Sequence, residues 1–414
     1  MKIAIVGAGL TGMSAALNLK EYAEVVLFEK DDAGGLAASY CRDYCIEKFY
    51  HHCFKGDDAL LEMLRKFNLS NKLVWKTTRV GYAVNGKIYP LNTPFEILRY
   101  PHMSLGEKIK LAMFTLMSKK RDYSSEDDVS VVDGIKRELG DDLLEDFFMP
   151  LLKSKFGDSY KDISYAWLLA RVAIRSNRKY SGEELGYIRH GFYQLIERMR
   201  ENLEIRNDEI KTIEKAGNKI RVNGEDFDAV IYTAPLPELD EKIRKAANLL
   251  DIRYQSSVCA LIGAEETVTE DIYWTNIKGD TVFGAIIEHT HFMPFEDYGE
   301  HVIYLASYST PDGWLYNRSE EELKRLYLKD VQKFGLKSEA INWIKIFKAK
   351  YSGPLFEKGY LKKITPYRTK LEGFYVAGMT SRPNYPERSM NGSIKAGIEV
   401  AEVVKKDFGY EAER

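Results

Sequence analysis

Residues Met1-Lys-Ile-Ala-Ile-Val-Gly-Ala-Gly-Leu-Thr-Gly-Met-Ser-Ala-Ala-Leu-Asn-Leu19 pass from an apolar strand through a glycine turn into a helix. Lys2–Val6 is too apolar for a strand with one wet face, so it reads as a central parallel strand. Gly7, Gly9 and Gly12 hold the G-x-G-x-x-G positions. The first glycine permits the tight turn, the second lets backbone approach a pyrophosphate, and the third lets the helix pack closely on the strand. Gly7, Ala8, Gly9, Leu10, Thr11 and Gly12 are therefore the candidate pyrophosphate-binding segment, with the helix N-terminus facing the phosphates. A second apolar run, Val25-Val-Leu-Phe28, ends in Glu29, 17 residues beyond Gly12. A carboxylate there accepts both ribose hydroxyls of an adenosine and repels a 2′-phosphate, which argues against NADP. Strand, turn, helix, second strand and terminal acid form a dinucleotide-binding βαβ unit. By itself that unit leaves NAD and FAD open.

Three further stretches narrow the choice. Lys30-Asp-Asp-Ala-Gly-Gly-Leu36 carries a Gly34-Gly35 doublet just after the ribose-binding acid. Asp228-Ala-Val-Ile-Tyr-Thr-Ala-Pro235 is a strand running into a turn at Ala234, and Gly373-Phe-Tyr-Val-Ala-Gly-Met379 is a strand ending at Gly378. Ser389-Met-Asn-Gly-Ser-Ile-Lys-Ala-Gly-Ile-Glu-Val-Ala401 then opens a helix. Taken together these segments resemble the FAD-binding parts of the amine oxidase superfamily, which includes monoamine oxidases, protoporphyrinogen oxidases and carotenoid desaturases. UDP-galactopyranose mutases open similarly.

The resemblance implies an α/β fold: a Rossmann-like FAD-binding domain with a helical cap and an antiparallel-sheet substrate domain. It places the discontinuous FAD domain at 1–56, 186–255 and 356–414, the cap at 57–185, and the antiparallel part at 256–355. It implies FAD contacts from Lys30, Gly34, Gly35, Leu36, Ala234, Gly378, Met379, Met390, Asn391 and Ser393. The N-terminus of the last helix would face the flavin and stabilise negative charge on its reduced ring. Most relatives place an acid after the strand's glycine to hold the ribityl chain; Met379 stands there, leaving Glu387 or a backbone group to substitute. No cysteine lies in the C-terminal region where monoamine oxidases attach flavin covalently, so the FAD is expected to be noncovalent.

Ile46-Glu-Lys-Phe-Tyr-His-His-Cys-Phe54 resembles the mutase segment that sets a histidine against the flavin, with His52 and Phe54 matching its H-x-F. His52 is the first candidate for a flavin-adjacent side chain and His51 the second; the alternative for either is a satisfied core histidine. An imidazole there tunes the flavin or moves a proton near neutral pH. Arg171, Arg175 and Arg178 recur at i, i+4 and i+7, either as a solvated stripe or as contacts to an anionic substrate, Arg175 being the candidate. Tyr187-Ile-Arg-His-Gly-Phe resembles a family segment whose first glycine is His190 here.

Asn85-Gly86 reads as the type I′ turn of a hairpin. Leu60, Leu61, Leu64 and Phe67 mark one buried helical face. Ile109–Met117 is apolar almost all round and flanked by lysines; it reads as a buried cap helix, with a membrane-surface helix or the gate for a lipid-like substrate as the alternative. Cys41, Cys45, Cys53 and Cys259 lack paired C-x2-C spacing, so buried free thiols are expected and no metal site. His289-Thr-His291 reads as a polar strand end.

A formal net charge of −2 over 414 residues gives no sign of a nucleic-acid partner. No leader pattern precedes the first strand and no uncharged run approaches a membrane span, so a cytoplasmic, at most membrane-peripheral, protein is expected. Nothing in the pattern specifies an oligomeric state. The resemblance implies an oxidoreductase that takes hydride from an organic substrate onto flavin N5, with oxygen or another acceptor reoxidising it. A redox-neutral nucleotide-sugar mutase and a flavin retained for structure alone are the alternatives.

Overall fold

The computed structural model describes residues 1–118, 121–175 and 182–410. Its organising sheet has five parallel strands in the order Phe374–Val376, Ala229–Tyr232, Lys2–Val6, Glu24–Glu29, Ile205–Asn207. The opening strand is central, as its lack of polar alternation requires, and Ile3, Ala4 and Ile5 are wholly buried. Leu10–Leu19 crosses one face beside Met390–Asp407, so the first and last helices of the chain are neighbours. Their close approach rests on Gly397: a Cβ there would stand 2.3 Å from the Thr11 carbonyl oxygen and 2.8 Å from Ser14 Cβ. Thr11 Oγ1 donates to the Ser393 carbonyl at 3.0 Å across the same seam.

The second layer is a seven-stranded sheet in the order Ile341–Pro354, Tyr254–Ala264, His301–Ser309, Ala285–Glu288, Trp274–Lys278, Val80–Val84, Lys87–Pro90. All pairings are antiparallel except that of Trp274–Lys278 with Val80–Val84. Every residue of Tyr254–Ala264 is buried. The hairpin at 80–90 turns through Asn85 and Gly86, both at positive φ (50° and 80°), which bears out the type I′ reading. The strand-like stretch Ile341–Ala349 is part of a 14-residue edge strand, Ile341–Pro354.

Helices between residues 94 and 175 cover this sheet. The sequence reads as one helical stretch over Val132–Phe148, but the chain breaks at Gly140, whose φ is 93°, and continues through a wide turn at Leu144–Phe148 into Met149–Phe156, with Pro150 in its first turn. Leu105–Ser118 corrects a second expectation. It buries Phe114 and Ser118, but leaves Ile109, Met113, Leu116 and Met117 exposed, because it packs on Val131–Leu139 and Tyr165–Arg175 along one flank only.

Cys41 and Cys45 form a disulfide across the hairpin of Ser39–Cys41 and Cys45–Glu47, which corrects the expectation of free thiols; Cys53 and Cys259 are buried and free. His289 and His291 stand on a short helix, His289–Phe292, rather than on a strand end. Among the described residues, no group of three His, Cys, Asp or Glu side chains is placed to hold a metal, and no helix is long and apolar enough to cross a membrane.

Candidate active site

The glycine turn is built by backbone conformation. Gly7 adopts φ 98°, where a side chain is strained, and a Cβ on Gly12 would stand 1.9 Å from the Gly7 carbonyl oxygen. Thr233 Oγ1 donates to the Val6 and Gly7 carbonyls at 2.8 and 3.0 Å, tying the Asp228–Pro235 segment to the turn. Glu29 is held by two backbone donors, Ala8 N–H at 2.8 Å and Asp31 N–H at 3.1 Å. Gly34 N–H donates to the Ala8 carbonyl at 2.8 Å, and Gly34 bridges Gly9 in parallel. Both doublet glycines have positive φ, 110° and 56°. The cradle is open on one side: a Cβ on Gly9 would meet nothing within 4 Å.

That open side is a cavity of about 1780 Å³. Gly7, Gly9, Leu10, Thr11, Glu29, Lys30, Gly34, Gly35 and Leu36 line one part of it. Ala234, Gly378, Met379, Glu387, Met390, Asn391 and Ser393 line another, and His51 and His52 line it too. Ala8 and Gly12 lie behind the wall as its buried support. The closing helix is aimed by Asn384, which sequence reasoning missed. This wholly buried side chain donates to the Gly378 carbonyl at 3.0 Å and accepts from Ser389 N–H at 3.1 Å. Gly392 leaves room for it, since a Cβ there would stand 2.4 Å from Asn384 Oδ1. Ser389 Oγ then accepts from Gly392 N–H at 2.9 Å and caps the helix. Asn391 spends its Oδ1 on the N–H groups of Ala59 and Leu60, at 2.9 and 3.1 Å. Lys30 is ion-paired with Glu238 at 3.1 Å.

At the substrate end, His51 Nδ1 lies 2.6 Å from the Phe49 carbonyl, and burial lowers its pKa to about 4. It is neutral at neutral pH, which removes it as a proton donor there. His52 Nδ1 lies 3.3 Å from the Tyr273 hydroxyl, and its ring meets Phe54 edge-on at 5.3 Å. Arg171 pairs with Glu387 at 2.9 Å. The side chain of Arg175, like Arg178 as a whole, lies outside the described residues.

Sequence reasoning also missed a pair of phenols and two cations on the same cavity wall. The hydroxyls of Tyr50 and Tyr308 are 2.6 Å apart, and Lys155 Nζ lies 4.5 Å from the Tyr308 ring centre. Arg388 crosses Gly353, where a Cβ would come within 2.4 Å of its Nε. Burial opposes ionisation of Tyr308, but Lys155, Arg388, the hydrogen bond with Tyr50 and Arg171 outweigh it and hold the phenol below its ordinary value. Tyr50 is pushed well above that value by burial and by facing the Tyr308 oxygen. Burial also lowers the pKa of Lys155, and Arg171 and Arg388 add to the effect. These residues sit in unrelated segments, and only the fold brings them together.

The model of the flavin containing amine oxidoreductase family matches residues 10–405. The chain belongs to that family. Coproporphyrinogen III oxidase of Staphylococcus aureus is 28% identical over 175 residues, 39% of this chain and 38% of that one. The chain thus matches less than two fifths of that relative's length. Among solved structures, a protein of Exiguobacterium sp. 255-15 with a protoporphyrinogen oxidase designation superposes with a TM-score of 0.78 at 18% identity, covering 98% of this chain and 99% of that one. Reduced UDP-galactopyranose mutase gives 0.73 at 18% identity, over 100% and 96%. Cyclohexylamine oxidase of Brevibacterium oxydans gives 0.70 at 13% identity, over 99% of each chain. At these identities the structures establish the fold, and the fold is the α/β flavoprotein architecture expected from the sequence.

A flavin is the cofactor of this family, and the cavity fits one. Backbone is bare at Gly9, a carboxylate is prepositioned at Glu29, and the capped N-terminus of an 18-residue helix stands across from them. His190 has φ 71° and is exposed, so it holds a left-handed backbone position while its imidazole projects into solvent.

Proposed function

We propose that the chain binds FAD noncovalently and oxidises, by two electrons, a small organic substrate with an apolar body and at least one anionic group. The observation that carries this is the continuity of one cavity from the Gly7–Glu29 cradle to the Tyr50–Tyr308 pair and its cations. At about 1780 Å³ it exceeds the roughly 300–1000 Å³ of a single-ligand pocket, so it has room for a dinucleotide and a substrate together.

Bound flavin supplies an acceptor for a hydride, and oxygen or another acceptor restores it. The protein's own residues do the rest. Glu29 and the bare glycines hold the adenosine half, and the helix N-terminus at Ser389–Ser393 favours negative charge at the far end. Arg171, Lys155 and Arg388 orient the substrate's anionic group, while Phe156, Trp167, Trp274 and Tyr351 enclose its apolar body. A substrate that gives up a hydride also gives up a proton, and the phenolate form of Tyr308, the more acidic of the paired phenols, would take it to become the neutral phenol. His52 is positioned beside the reacting region, and His51 supports it as a neutral ring.

A second reading, a redox-neutral mutase acting on a nucleotide sugar, draws on the same cations, which suit a diphosphate as well as a carboxylate. Anaerobic mixing of the FAD-loaded protein separates the two. Bleaching of oxidised flavin by a reduced substrate alone, with coproporphyrinogen as the first trial, supports oxidation. Isomerisation of UDP-galactopyranose that requires pre-reduced flavin supports the mutase. A protein that takes up no FAD would refute both.

A further inference from the structure

The described chain has 14 large hydrophobic side chains that are exposed, and half of them lie between residues 95 and 117. Scattered exposed apolar groups are ordinary; a contiguous face is not. On Leu105–Ser118, Leu105, Ile109, Met113, Leu116 and Met117 fall at i, i+4, i+8, i+11 and i+12, within one arc, and are 53–67% exposed. Leu111, Phe114 and Ser118 occupy the opposite flank, against the protein. The neighbouring helix Pro94–Arg99 adds Phe95 and Leu98, 56% and 55% exposed.

Charge decides what covers this face. Residues 94–121 contain six Lys and Arg against two Glu, in a chain whose net charge is −2. Both acids are occupied: Glu96 pairs with Arg79 and caps its own helix, and Glu107 accepts from Ser104 N–H. Lys108 and Lys110 border the apolar arc on its two sides. Each places its ammonium near a carbonyl, Leu98 O at 2.8 Å and Leu139 O at 3.5 Å. Among the described residues, no carboxylate lies within ion-pair distance of Arg99, Lys108 or Lys110. A second copy of the chain would set this excess against its own like charge, whereas an anionic lipid surface complements it. An apolar arc edged by long cationic side chains is also the pattern of a helix lying in a bilayer interface, with ammonium groups reaching the headgroups. At 14 residues, about 21 Å, the helix is too short to span the ~30 Å hydrocarbon core.

We propose that Pro94–Arg99 and Leu105–Ser118 form a docking face for membranes bearing anionic lipids. The face lies on the helical cap and is independent of the redox chemistry. The test is cosedimentation of the full chain with phosphatidylcholine vesicles, with and without phosphatidylglycerol. Binding is expected to the anionic vesicles, to weaken as salt is raised, and to fall about tenfold or more in Ile109→Glu/Met113→Glu. The variant should keep its melting temperature and flavin content, since both side chains are exposed; Leu116→Gln, a milder change, should show a smaller loss of the same sign. Absence of wild-type binding, undiminished binding of the double variant, or equal binding to pure phosphatidylcholine would overturn the proposal. So would sedimentation equilibrium showing a dimer that the double variant dissociates, which would make the face a subunit interface.

Discussion

Tyr50 and Tyr308 share one short hydrogen bond, 2.6 Å between oxygens, on a cavity wall that also presents Lys155, Arg171 and Arg388. Two phenols so close cannot both ionise easily, and of the two the cations favour ionisation of Tyr308, which they hold below its ordinary value while Tyr50 is pushed above it. If that oxygen receives the substrate's proton, kcat/KM rises with pH through a limb that lies below the ordinary tyrosine pKa of about 10. Tyr308→Phe is expected to lower kcat at least about 100-fold and to abolish the limb. An ultraviolet titration of tyrosinate gives a readout apart from turnover: the earliest ionising phenol should vanish in the variant.

The glycine turn separates binding from folding. Gly9→Val projects its side chain into open space, so the protein should fold with near-native melting but take up no FAD. Gly12→Ala drives a methyl into the Gly7 carbonyl and should cost about 2–4 kcal/mol of stability. Denaturant unfolding with parallel flavin absorbance checks both. Equal flavin loss with equal destabilisation would contradict the distinction.

Arg171→Met removes a cation that orients an anionic substrate. KM is expected to rise about tenfold with kcat little changed, the mark of lost uniform binding. Loss of the Arg171–Glu387 ion pair should also lower stability, by up to about 1 kcal/mol. An effect on kcat alone would place Arg171 in the chemical step instead.

His51 makes a pH prediction. Its pKa falls from 6.5 to about 4 on folding, because burial disfavours the charged ring. Between those values the unfolded chain binds the extra proton, so stability is full above about 6.5 and declines as the pH falls toward 4. The loss amounts to about 3 kcal/mol. Melting of flavin-free protein across that range should show the decline, and His51→Asn should flatten it.

Thiol counting tests the Cys41–Cys45 bond. Unfolded, unreduced protein should expose two reactive thiols, from Cys53 and Cys259, and four after reduction. Four without reduction would show the hairpin cysteines to be free.

What the sequence made legible was the part governed by local rules. The Gly7–Gly12 turn, the Gly34-Gly35 doublet, the Asn85-Gly86 hairpin and the Ser389 cap each depend on neighbours a few residues away. The substrate end depends on distance in space. Lys155, Tyr308 and Arg388 come from a helix, a strand and a loop that carry no shared pattern, and Asn384 looks like any loop asparagine until Gly378 and Ser389 meet around it. Leu105–Ser118 was misread for a related reason. An all-round apolar helix fits a buried position, and only the packing shows that one of its flanks has no protein partner. The Cys41–Cys45 bond was hidden because a hairpin register, not a spacing rule, brings the two sulfurs together.

The seam between Leu10–Leu19 and Met390–Asp407 has a consequence for how the protein is made. The contact between Thr11 and Ser393 spans 382 residues of chain. At about 5–20 residues per second, a ribosome needs roughly 20–80 s to supply the second partner after the first has emerged. Throughout that interval the opening βαβ unit lacks the helix that covers it, and its cradle lacks the opposite wall. Flavin therefore has no complete seat until that helix has emerged. A chain truncated before Met390 would keep its glycine turn and yet remain colourless.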